Sequence, residues 1–154
     1  MILIPELEAY IKSVRDRIDA INFHRVLVDN DDIKKDLEQR SAGVDKIMLY
    51  AGIPELKVTG QDDQYQDRDH MGFMVLEKTD YSITSQHSKW LELFSRTQLA
   101  AKQVREMMIA DYEAHQGSCG IMSFLEIGSI SIEPVKYFSG CNGWMILFQM
   151  KSDF

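Results

Sequence analysis

The chain has few of the features that announce a function. It carries only two cysteines, Cys119 and Cys141, far apart and in no CxxC. They read as free thiols in a reducing compartment, not a disulfide framework or a zinc site. No run of about 18 apolar residues is present, so no membrane span is expected. The opening Met1-Ile2-Leu3-Ile4-Pro5-Glu6 is apolar only briefly and has no basic region, so a signal peptide is not expected. Basic charge is in deficit, with 17 Lys and Arg against 24 Asp and Glu and a formal net charge of -7. That balance argues against a protein that grips nucleic acid by neutralising phosphates. GxSxG, GxGxxG and GxxxxGK[ST] are all missing. There is no internal repeat and no low-complexity linker, which leaves one domain over residues 1–154.

What is present is ordinary globular patterning, with 45% hydrophobic and 27% charged residues. Leu3, Leu7, Tyr10, Ile11, Val14, Ile18 and Ile21 recur at spacings of three and four and predict a helix over 4–21. Pro5 suits its first turn, and Glu6 and Glu8 suit its positive start. Residues 23–28 predict a strand. Residues 33–40 predict a short helix capped by Asp31 or Asp32. Residues 44–50 fit a strand or a helix, and 55–59 are short and extended. The most polar stretch, 60–70, reads as an exposed loop, and the apolar run over 71–79 as a central strand.

A long helix is predicted over 85–116. Trp90, Phe94, Ala101, Val104, Met108 and Tyr112 form its apolar stripe, widened by Leu91, Ala100 and Met107. Strands over 125–133 and 143–151 close the chain around the break Ser139-Gly140-Cys141-Asn142-Gly143. Trp144, Ile146, Phe148 and Met150 share one face of the last strand by period-2 alternation. Met145 and Leu147 then stand on its other face. A strand apolar on both faces is covered twice or buried against another chain. The fold class expected is α+β: a roughly four-stranded sheet with two main helices packed on one face, a single pair of layers.

Each chemical candidate meets a plainer reading. Asp29-Asn30-Asp31-Asp32 suggests a calcium loop, but Ile33, Lys34 and Arg40 fall where an oxygen ligand, a glycine and a bidentate Glu are needed. Asp67-Arg68-Asp69-His70 has the residue types of acid–base or metal chemistry, which needs convergent groups in a cleft. Here all four sit in one polar stretch with no second cluster, so a solvated loop is the reading kept. His24, His87 and His115 have no spaced partner. Nine methionines are more than ordinary, and Met is over-used at adaptable binding faces. No catalytic, cofactor or metal residue is assigned.

The element order, with a long helix, a closing hairpin and Asn142-Gly143-Trp144 opening the last strand, resembles the tail-terminator and tail-completion proteins of long-tailed bacteriophages. The Gly143-Trp144 to Phe148 spacing is similar to the endings of such proteins from phages of Bacteroidetes-type hosts. The resemblance implies a small α+β subunit of a ring, commonly hexameric, that caps the tail tube at its head-proximal end. Its partners would be itself, the tail tube and head-connector proteins. DNA would only pass through the lumen, and no membrane would be involved. The subunit would be assembled in the bacterial cytoplasm and reside in the virion tail. Met145 and Leu147 are the expected interface, with Asp62, Asp63, Asp67 and Asp69 at a lumen or docking surface. The alternative is a non-catalytic protein-binding adaptor or another phage assembly or connector protein. No cofactor is expected.

Overall fold

A computed structural model describes residues 2–43, 46–59, 66–80, 87–115 and 120–153, with the backbone alone at 56–59, 66–68 and 152–153. In chain order the described elements are α1 (Ile4–Arg17), β1 (Phe23–Leu27), α2 (Asn30–Glu38), β2 (Met48–Gly52), β3 (Glu55–Thr59), β4 (Gln66–Lys78), α3 (His87–Ala114), two 3₁₀ turns (Ile121–Phe124 and Ile127–Ser129), β5 (Ser131–Phe138) and β6 (Cys141–Asp153). The strands make one six-stranded sheet in the order β1-β2-β4-β6-β5, and β3 pairs with β4 beyond the end of β2. Only β1 and β2 run parallel, joined through α2; the other ladders are antiparallel. The fold is α+β.

The sheet separates two cores. On one face α1 and α3 bury Leu7, Ile11, Val14, Ala101, Val104 and Met108 against Leu49, Ala51, Phe73, Val75, Ile146 and Phe148. On the other face α2 contributes Ile33 and Leu37 over Met48, Tyr50, Met74, Leu76 and Cys141. Strand alternation explains the division, since Leu49 and Ala51 point one way and Met48 and Tyr50 the other. Helix α1 starts as its sequence dictates: Pro5 lies in the first turn, and the Glu6 carboxylate accepts from the Leu3 N–H at 3.2 Å. The cap of α2 is Asp29, whose Oδ1 accepts from the Asp32 N–H at 2.9 Å, not Asp31 or Asp32.

β5 and β6 join through Ser139-Gly140, both at positive φ (48° and 77°), as a two-residue turn of the I′ kind requires. The break anticipated over 139–143 is therefore two residues long, and 141–143 already belong to the strand.

Several expectations are corrected. The sheet has six strands rather than about four, because 48–52 and 55–59 both pair with β4. Two helices do share one face, but α2 adds a partial third layer on the other. The strand expected over 125–133 starts at Ser131, because 3₁₀ turns occupy the preceding residues. Helix α1 stops at Arg17, since Ile18 is extended (φ -116°, ψ 102°). The stripe of α3 runs through Leu93, Thr97, Ala100, Ala101, Val104 and Met108, while Leu91 is 54% exposed.

Candidate functional site

The two faces of the sheet are covered unequally. α3 has 28 residues and spans ~42 Å. The central strands β4 and β6 have 13 each and span ~44 Å. On the opposite face, among the described residues, α2 has 9 residues, ~14 Å, and covers one end only. Beyond its N-terminus the face forms an open groove of about 470 Å³. Gly72, Met74, Met145 and Leu147 form an apolar part of its lining, and Asn30, Glu55, His70, Ser131 and Gln149 are among its polar lining residues. The ladder between β4 and β6 sets Met74 opposite Met145 and Gly72 opposite Leu147. A Cβ on Gly72 would lie 3.3 Å from Leu147 Cδ2, so the missing side chain seats that leucine.

Of the site residues named from sequence, Met145 and Leu147 come together here, both half-buried. The acidic residues do not join them. Asp62 and Asp63 lie outside the described residues. Asp67 and Asp69 belong to β4, not to a loop. Asp69 is only 2% exposed, and its Oδ2 accepts from the Ile2 N–H at 3.2 Å. It anchors the N-terminal segment and is not a docking charge. Asp69 and His70 are neighbours in β4, so alternation sends them to opposite sides of the sheet and the two do not converge on one proton or metal ion. Gly72 and Gln149 were not foreseen, and His70 and Met74 were noted without this placement: only the long β4–β6 ladder brings the four beside Leu147.

Ionisable side chains elsewhere are engaged with one another. Asp36 accepts from Tyr50 Oη at 2.6 Å and Arg40 Nε at 3.0 Å, and Arg25 also pairs with it. Burial works to raise the Asp36 carboxyl, but the Tyr50 and Arg40 hydrogen bonds and the two guanidinium charges outweigh it and hold it below the usual range. Arg40 also stacks on the Phe23 ring, 3.4 Å from its centroid. This network ties α2 to β1 and β2. A second one ties α1 to α3: Arg17 grips Asp111 with two bonds of 2.9 and 2.7 Å. Those bonds lower the Asp111 carboxyl, while burial and the Asp111 charge raise the Tyr10 phenol. The Cys141 thiol is fully buried and pushed up to about 11 by that burial, which makes it a poor nucleophile at neutral pH.

Among the described residues no group of three or more His, Cys, Asp and Glu side chains is placed to hold a metal ion. No described helix is long and apolar enough to cross a membrane. Compared with known proteins, the chain matches no family model and no curated protein sequence.

Proposed function

We propose that this chain is a structural assembly subunit that docks through the uncovered face of its sheet. In the form closest to its element order, it is the ring subunit that caps a phage-type tail tube and joins it to the head. The observation that carries the reading is unequal cover: one face lies under ~42 Å of helix, the other under ~14 Å. Apolar surface left in water favours a partner by ~25 cal/mol per Å² buried, before association costs are subtracted. Met145 and Leu147, both half-buried, supply such surface on the central strand pair beside the buried Met74, and Met side chains adapt to what they meet. The long helix followed by a terminal hairpin supports the tail-terminator form. A heterologous contact repeated head-to-tail closes into a ring when its rotation allows.

Mass in solution tests the reading. Light scattering on the purified chain, alone and with tail-tube subunits, is expected to show a cyclic oligomer, six being the expected number, or a complex with tube ends. A monomer that neither self-associates nor caps tubes at high concentration overturns the ring. Pull-down of an unrelated partner by that monomer, lost in Leu147→Glu, would favour the adaptor.

A further inference from the structure

The β5–β6 hairpin carries an irregularity that its turn does not require. Val135 pairs with Gly143 and Phe138 with Cys141, so three steps along β5 answer two along β6. Val135 and Phe138 both pack on the α2 side of the sheet, and Lys136 and Tyr137 together fill the one position between them, a bulge. Tyr137 takes φ 57°, a left-handed conformation that is strained for a bulky residue. Buried polar groups hold it there. Asn142, fully buried, accepts from the Tyr137 N–H at 2.9 Å and donates to Thr79 Oγ1, while the Thr79 N–H donates to the Gly140 carbonyl at 2.9 Å.

The bulge decides where the phenol ring lies. It meets Trp90 of α3 with ring centroids 5.5 Å apart, yet Tyr137 stays 67% exposed. Trp90 meets Phe94 at 5.4 Å, and Phe94 meets Trp144 edge-on at 6.2 Å, so four rings run from solvent toward the core. The subunit's own packing gains little from a strained aromatic held outward. Strain of this kind concentrates where a chain meets a ligand, and Tyr and Trp carry much of the binding energy at interfaces. Among the described residues the Trp90 indole N–H makes no hydrogen bond, and it is open to solvent. The Trp144 indole, by contrast, is engaged with the Phe94 carbonyl. The row therefore offers ring faces and a hydrogen-bond donor.

We infer that the Tyr137–Trp90 row docks a proline-rich segment of another protein in the polyproline II conformation. Such a segment stacks flat rings on aromatic faces. Its prolines bring carbonyl acceptors for the indole N–H and no N–H of their own to be left unpaired. Its helix is largely formed before docking, so little ordering entropy is lost. A β-strand is the other extended ligand, but Pro134 and the bulge interrupt the edge of β5 that it would have to extend. These 154 residues do not supply the ligand to a second copy, since Pro5, Pro54 and Pro134 stand far apart. The row lies on the α3 side of the sheet and the open groove on the other, so the inference stands apart from the assembly reading.

Nuclear magnetic resonance titration of the full chain with decaproline, against a Gly-Ser decapeptide, tests the inference. The Trp90 indole N–H signal, told from that of hydrogen-bonded Trp144 by its faster exchange with water, is expected to shift saturably with decaproline and not with the control. Trp90→Phe keeps a ring and removes the donor. Tyr137→Gly removes the ring and tolerates the positive φ. Each is expected to weaken binding by at least about fivefold, with circular dichroism matching the native chain. A Trp90 signal that stays in place at about 1 mM decaproline overturns the inference, whether or not the variants fold. Binding that both variants retain in full puts the peptide elsewhere and also overturns it. A shift produced by oligothymidylate or by a malto-oligosaccharide, and not by decaproline, assigns the row to nucleobases or to sugar rings and overturns it as well.

Discussion

A Cβ placed on Gly143 would lie 2.0 Å from the Val75 carbonyl oxygen, inside the backbone of the neighbouring strand. Its neighbours are as constrained. The Asn142 side chain accepts from the Tyr137 N–H at 2.9 Å and donates to Thr79 Oγ1, and Trp144 Nε1 donates to the Phe94 carbonyl at 3.0 Å. The tripeptide that opens β6 is thus accounted for by packing: close approach, a hairpin brace and a tie to α3. Gly143→Ala should cost more than about 2 kcal/mol, because backbone must move to admit the methyl group. A melting curve matching the native one would show that the strands separate cheaply there. Asp36 carries a pH prediction. Its folded carboxyl sits below the unfolded value, so its stabilisation is present above the unfolded range and is lost as pH falls through the depressed folded value. Asp36→Asn should therefore destabilise the chain by about 1–3 kcal/mol at neutral pH. The gap should close in acid, below both values. Denaturant midpoints against pH check this, and a gap that stays constant would remove the carboxylate from the account.

Legibility differs from element to element, for physical reasons. α1 and α3 were readable because their apolar spacing survives any partner. The face of α3 was harder, since Thr97 is buried by bonding its hydroxyl to the Leu93 carbonyl at 2.9 Å, which makes a polar residue part of the stripe. The start of β4 was hidden. Gln66-Asp67-Arg68-Asp69-His70 has the composition of a loop, yet pairing with β3 on one side and β6 on the other makes it a strand. Tertiary pairing overrides local preference there. The groove was half legible for the same reason: period two gave Met145 and Leu147, while Gly72 and Met74 needed the register. Edge strand β5 carries its own prediction. Pro134 can donate no ladder hydrogen bond, so it interrupts the edge that another chain could extend. Pro134→Thr should leave the fold intact but raise light scattering on mild heating. A variant as soluble as the native chain would mean that the edge needs no such guard.

At the scale of the molecule, fold and assembly make separate demands on adjacent residues of one strand. Phe148 is 2% exposed and meets Phe73 edge-on, with ring centroids 4.7 Å apart, beneath α1 and α3. Leu147 points the other way, over Gly72, into the groove that α2 leaves open. If the helix-covered face holds the subunit together and the open face joins it to its neighbours, the two positions should respond in opposite ways. Phe148→Ala should cost ~3–5 kcal/mol through the cavity it leaves, and assembly would fail only because the subunit unfolds. Leu147→Glu should lower the thermal midpoint far less than Phe148→Ala, since Leu147 is only half-buried at the edge of an open groove. It should nevertheless abolish association, because a carboxylate buried without a partner is strongly unfavourable. Paired calorimetry and light scattering on the two variants separate these effects. If Leu147→Glu melts as early as Phe148→Ala, the groove belongs to the subunit's own core. If it melts and associates like the native chain, docking occurs on another surface, and unequal cover of the sheet ceases to be an argument for assembly.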